Sequence, residues 1–283
     1  MTIDQLEPDT AAVVHAVQGG GGVQLHVREW GRPDGPAVLL IHGWSQSLHC
    51  WRRQVEGGLI RECRVVALDI RGHGMSERPP DAAAYQDPEL WAADVAAVID
   101  QLALRRPVLV GWSYGGFIAC DYLRVHGEDA IAAVNLVGAA VLRNESFDHI
   151  GPGLLSTAPG ACDPDLAVNI ASIRRFLHAC TATRMDDDDR EDALCWNMVV
   201  PPEVRGALFA RRIDSDDVLS RLTVPVLVTH GRLDEIVLPS MADHVLGVCP
   251  TAVASWYDEV GHMPFLEDPG RFDRELLALA RRA

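Results

Sequence analysis

An α/β fold, with a mostly parallel sheet covered by helices on both faces and a helical cap inserted late in the chain, is predicted by three observations. Strand-sized apolar runs alternate with helix-length patterns over most of the 283 residues. One run, Pro107-Val108-Leu109-Val110, turns through Gly111-Trp112-Ser113-Tyr114-Gly115-Gly116 into a helical stretch over 117–123. The alternation breaks over 141–220 and then resumes. Roughly 80 residues is too long for a plain connection in a compact domain.

In chain order, 13–17 and 23–27 read as an antiparallel hairpin across the four glycines 19–22. Those glycines join strands and open no helix, so they read as a turn and not as a phosphate loop. Ala37–Ile41 is a strand, 51–60 a helix and 64–69 the next strand. Asp87-Pro88-Glu89 supplies an N-cap and a first-turn proline for a helix to Leu102, with Leu90, Val95, Val98, Ile99 and Leu102 mostly on one stripe. The elbow strand and helix follow, then an apolar strand over 130–137. Within 141–220, Gly151-Pro152-Gly153, Ala158-Pro159-Gly160 and Pro201-Pro202 punctuate short helices. Leu166–Ala179 is the clearest of them, with Ile170, Ile173, Phe176 and Leu177 on its apolar face. Strands at 224–229 and Ala252–Tyr257 and a closing helix from Asp268-Pro269 complete the pattern. The expected organisation is a core of 1–140 and 221–283 interrupted by a cap at 141–220.

Composition removes several chemistries. All 25 basic residues are arginine, so a Schiff-base lysine, a Ser–Lys dyad and a Walker lysine are excluded. A net charge of −15 argues against nucleic acid and anionic membranes as partners. Part of that charge is the run 186–189, four aspartates that read as a solvated loop. No apolar run approaches a membrane span, and the acidic start Met1-Thr2-Ile3-Asp4-Gln5-Leu6-Glu7 lacks a signal pattern. Seven scattered cysteines without a C-x-x-C pair fit reduced thiols, hence a cytoplasmic protein.

A serine at a strand-to-helix elbow needs a base, and the base needs an orienting acid. In an open parallel sheet these groups gather beyond the carboxyl ends of strands. Asp234, in Gly231-Arg232-Leu233-Asp234-Glu235, follows one strand, and Glu235 is its adjacent alternative. His262, in Gly261-His262-Met263-Pro264, follows the next; His244, the other histidine after Asp234, falls in a helical stretch. Ser113, Asp234 and His262 are therefore the expected catalytic residues. The backbone N–H groups of Trp44, after His42-Gly43, and Tyr114 are the expected oxyanion donors, each worth roughly 3–4 kcal/mol. His42 reads as a brace of that loop.

These residues resemble the α/β-hydrolase superfamily, in its haloperoxidase-like and small-esterase branch. The resemblance rests on His42-Gly43-Trp44, Asp69-x-Arg71-Gly72-His73-Gly74-x-Ser76, the elbow, Gly231-x-x-Asp234 and Gly261-His262-x-Pro264-Phe265. It implies a sheet of about eight strands and structural roles for Arg71 and His73. Serine at 113 excludes the dehalogenases and disfavours epoxide hydrolases, which carry aspartate there. Ser45 stands where peracid-forming relatives commonly have proline.

The expected activity is hydrolysis of an ester, lactone or thioester of a small, largely apolar acyl substrate through an acyl-enzyme on Ser113. No cofactor or metal is implied. A C–C bond hydrolase or cofactor-free dioxygenase, and a slow-turnover ligand receptor with a retained triad, are the alternatives. An apolar pocket is expected from Trp44, Tyr114, Val237 and Met263, with Phe176, Leu177, Trp196 and Met198 from the cap or else forming its core. Such a pocket in an acidic chain favours a neutral substrate. The assembly expected is a monomer or homodimer.

Overall fold

The computed structural model describes residues 12–144 and 147–282. The expectation about the first seven residues lies outside them. Eight strands form one sheet: β1 (Val13–Gln18), β2 (Gln24–Gly31), β3 (Ala37–Ile41), β4 (Arg64–Leu68), β5 (Val108–Trp112), β6 (Ala133–Val137), and, after a pair outside the sheet, β9 (Val226–Gly231) and β10 (Ala252–Tyr257). The pair is β7 (Leu142–Arg143) and β8 (Ile213–Asp214). The spatial order is β1-β2-β4-β3-β5-β6-β9-β10, antiparallel only on both sides of β2. β3, β5 and β6 are wholly buried, as strands covered on both faces must be.

The helices are α1 (Arg52–Val55), α2 (Pro88–Gln101), α3 (Tyr114–His126), α4 (Pro152–Leu155), α5 (Ala158–Ala161), α6 (Leu166–Ala179), α7 (Asp187–Met198), α8 (Pro202–Ala210), α9 (Asp216–Leu219), α10 (Pro239–Val248), α11 (Pro264–Glu267) and α12 (Pro269–Arg282). α2 begins as its sequence dictates, with the Asp87 carboxylate accepting the Glu89 N–H at 2.9 Å and Pro88 in the first turn. α4 to α9 all lie between β6 and β9. The two ends of that segment are joined where Leu142 pairs with Asp214 and Arg143 with Ile213.

Two local expectations are overturned. Residues 51–60 are not one helix: α1 is a single turn between 3-10 turns at Leu48–Trp51 and Leu59–Arg61. The Gly57-Gly58 pair ends it, and a Cβ on Gly57 would stand 2.6 Å from the Arg53 carbonyl oxygen. The run 186–189 is not a loop either, although Asp186, Asp187 and Asp188 are exposed as expected. Asp186 caps α7 by accepting the Asp189 N–H at 2.7 Å, and the next three aspartates fill the first turn, where the helix dipole favours anions. Asp189 is buried between Arg52 and Arg53, with 2.7 Å to Arg53. Four like charges are tolerated because a helix end and the guanidinium groups of Arg52, Arg53, Arg184 and Arg190 meet them. Among the described residues, no helix is long and apolar enough to cross a membrane.

Candidate active site

Ser113 occupies a left-handed backbone position, φ 55° and ψ −118°, between β5 and α3. That conformation costs a non-glycine residue of order 1–3 kcal/mol and is held by its surroundings. A Cβ on Gly111 would stand 2.5 Å from the Gly115 carbonyl oxygen, and one on Gly115 would stand 2.4 Å from that of Ile41. The Ser113 N–H donates to Val137 at 3.0 Å, tying the elbow to the end of β6.

Asp234 lies just past β9 and His262 in the loop past β10. The His262 Nδ1–H donates to Asp234 Oδ2 at 2.7 Å, which leaves Nε2 as the ring acceptor. That Nε2 is buried without a hydrogen-bond partner among the described residues. The other Asp234 oxygen accepts the N–H groups of Ile236 and Val237 at 2.8 and 3.0 Å. His230 Nε2 lies 3.3 Å from Asp234 Oδ2 while donating to the Val237 carbonyl. Burial works to raise the Asp234 pKa, but nearby His262 and the hydrogen bonds from His230 and His262 prevail and hold it down at about 2. His230 was missed from the sequence; a histidine in an otherwise apolar strand just before Gly231-x-x-Asp234 was the available signal. His244, on α10, pairs instead with Asp216 at 2.7 Å.

The loop after β3 approaches Ser113 closely: a Cβ on Gly43 would stand 2.9 Å from the Ser113 Cβ. The Trp44 N–H has no acceptor among the described residues, and the Tyr114 N–H opens α3, where intrahelical acceptors are missing. Two buried neutral histidines hold this loop. His42 donates through Nδ1 to the Gly43 carbonyl and accepts the Ile70 N–H. His73 donates to the Arg71 carbonyl and accepts the Ser45 N–H at 3.1 Å. Burial lowers both pKa values, that of His73 to about 3. Arg71 is buried and bidentate on Asp94, at 2.7 Å for each contact.

One guanidinium reaches the loop after β3 from α8. Arg205 is fully buried and has no carboxylate within ion-pair distance among the described residues. Its Nε–H donates to Ser45 Oγ at 2.8 Å, and its terminal nitrogens donate to the Ala161 and Asn197 carbonyls and to Asn169 Oδ1. Its own carbonyl accepts Trp44 Nε1–H at 3.0 Å. Burial lowers its pKa to about 10, so it stays charged at neutral pH. No periodicity marks it out.

A narrow cleft of about 40 Å³ opens at Ser113, lined by Trp44, Tyr114, Phe117, Ala140, Arg143, Ile150, Leu154, Phe209 and Val237. Trp44, Tyr114 and Val237 thus stand where the sequence puts them. Phe176 forms a layer behind, edge-on to Trp44 with centroids 5.4 Å apart, and Leu177 is buried in the core. Met198 packs against that core as well. Trp196 and Met263 do not reach this cleft but line a different one beside His49. Trp196 is drawn there because its Nε1–H donates to Gln46 at 3.0 Å and its ring stacks on His49. Phe117, Arg143, Ile150, Leu154 and Phe209 were not anticipated. Among the described residues, no group of three or more His, Cys, Asp or Glu could hold a metal ion.

Comparison with known proteins agrees with this architecture. A family profile described as the alpha/beta hydrolase fold matches residues 36–269. A bifunctional esterase/perhydrolase of Acinetobacter calcoaceticus is 29% identical, over 76% of this chain and 80% of its own. A non-heme chloroperoxidase of Streptomyces lividans is 29% identical, over 92% and 97%. The crystal structure of an esterase from a Rhodococcus species superposes with a TM-score of 0.89 at 34% identity, covering 95% of this chain and 98% of that one. The chain belongs to the α/β-hydrolase fold family, among its haloperoxidase-like and esterase members, and is an enzyme of the hydrolase class.

Proposed function

We propose that this enzyme is a serine esterase that cleaves small carboxylic esters through an acyl-enzyme on Ser113. The observation that carries the reading is the His262 ring, bonded to Asp234 through Nδ1 with a buried, unpartnered Nε2 left to accept a proton. In the proposed reaction Ser113 Oγ attacks the ester carbonyl as Nε2 takes its proton. Asp234, with its carboxyl held at about 2, stabilises the imidazolium that forms. The Trp44 and Tyr114 amides receive the oxyanion, and the imidazolium then protonates the leaving alcohol. Water, deprotonated by His262, releases the acid and frees Ser113. The segment 141–220 acts as a cap that supplies the apolar wall of the cleft.

Esterase relatives support the bond type. The decisive experiment is rapid acid quench during turnover of a p-nitrophenyl ester, followed by peptide mass spectrometry. An acyl group on the Ser113 peptide is the expected result. Sustained ester turnover with no acyl adduct at any time point would overturn the covalent route, and oxygen uptake would point to the dioxygenase alternative.

A further inference from the structure

The cleft at Ser113 is apolar except at one place. Arg143, on β7, lines it and is half-buried. Its guanidinium faces the Phe209 ring at 4.1 Å and the Phe147 ring at 5.1 Å. Neither contact uses the in-plane N–H groups, because the rings take the face of the guanidinium and leave its edge. No carboxylate and no hydrogen-bond acceptor among the described residues meets that edge. The two arginines on the adjoining elements differ. Arg211 spends its fork on Asp121 Oδ2, at 2.8 Å, and on Tyr114 Oη, at 3.3 Å. Arg205 spends its own on four neutral acceptors. Among the described residues, the ionisable groups that act on Arg143 are Tyr114 and a second arginine, Arg212, and no carboxylate is one of them.

A partly desolvated planar cation, held by its face and open at its edge, is suited to a bidentate carboxylate. We propose that Arg143 is a specificity-determining residue that selects esters carrying a carboxylate on the portion that occupies this cleft. The inference rests on the esterase reading above and narrows its substrate class. It also departs from the neutral substrate that an acidic chain suggests: the net charge of −15 acts at long range and is screened, whereas Arg143 acts inside a low-dielectric cleft.

The test compares kcat/KM for p-nitrophenyl half-esters of short dicarboxylic acids with p-nitrophenyl esters of neutral acids of equal length. A second arm places the carboxylate on the alcohol portion instead, which separates the two sides of the ester. In one arm the carboxylated ester should be preferred at least tenfold, and added salt should shrink that preference. Arg143→Met keeps a side chain of similar reach on the two rings and should lower the preference at least tenfold, while Arg143→Lys should restore part of it. A neutral preference in both arms, or a preference that survives Arg143→Met, would overturn the inference and leave the esterase reading intact. If no ester of either kind is hydrolysed, the esterase reading itself fails. Thermal shifts of Ser113→Ala with short dicarboxylates or their neutral diamides then still report on Arg143: stabilisation by the acids alone, lost in Ser113→Ala/Arg143→Met, is expected, and equal shifts would overturn the proposal.

Discussion

The two walls of the Ser113 cleft are held by different means. On the sheet side each proposed catalytic group stands just past a strand end: Ser113 after β5, Asp234 after β9 and His262 after β10. Backbone pairing fixes their relative positions, because β5, β6, β9 and β10 run parallel in adjacent places. On the cap side few strand pairs exist, and side chains take their place. Arg205 gathers α5, α6, α7 and the loop after β3 onto one guanidinium. The sheet wall is therefore held by backbone pairing, while the cap wall depends on side-chain contacts, four of which converge on Arg205.

Substitutions should separate the two walls by what they damage. Ser113→Ala should lower ester turnover by about 10⁴- to 10⁶-fold with little change in the unfolding midpoint. A full-length Ser113→Ala protein with undiminished turnover would remove the sheet side from the chemistry. Asp234→Asn keeps the size of the side chain but removes the charge that orients and stabilises His262, and about 10⁴-fold in kcat is the expected loss.

Arg205→Met should act on both scales at once. It strands Asn169 Oδ1, leaves the Ala161 carbonyl to Asn169 Nδ2 and the Asn197 carbonyl to the Val200 N–H, and frees the Ser45 hydroxyl beside the Trp44 amide. A loss of about 3 kcal/mol or more of stability is expected, from denaturant unfolding. A fall in kcat larger than any rise in KM should accompany it. An unchanged kcat in the folded variant would mean that the cap and the oxyanion loop are independent.

Acid should loosen the oxyanion loop before it disarms Asp234. His73 titrates near 6.5 when unfolded and at about 3 when folded, so the unfolded chain binds more protons between those values. The stability gained by keeping it neutral is complete above about pH 6.5 and is lost as pH falls toward 3. Unfolding free energies at pH 7 and pH 4.5 should differ by about 2.5 kcal/mol from this residue, and His73→Asn should reduce the difference. The smallest effect belongs to the rim of the cap. Asp186→Ala should cost about 1 kcal/mol through the lost α7 cap, with turnover unaffected.

Particular residues show where the sequence is readable. Asp87-Pro88 and Gly111 to Gly116 announce a helix start and an elbow because the residues that shape them are neighbours in the chain. Asp189 misleads, since its burial depends on Arg52 and Arg53 from a distant segment. Trp196 looks like a pocket residue for its size, but Gln46 and His49 decide which cavity it lines.

By itself, the sequence determined the α/β class, the elbow serine and the chain order that singles out Asp234 and His262. These depend on local punctuation and on a parallel sheet bringing strand ends together. Tertiary structure alone decided that His230 supports Asp234, that Arg205 anchors the oxyanion loop and that Arg143 faces the cleft with its edge open. A guanidinium or an imidazole has no role until its partners are known. Those partners arrive from segments far apart in the chain, where no spacing rule connects them.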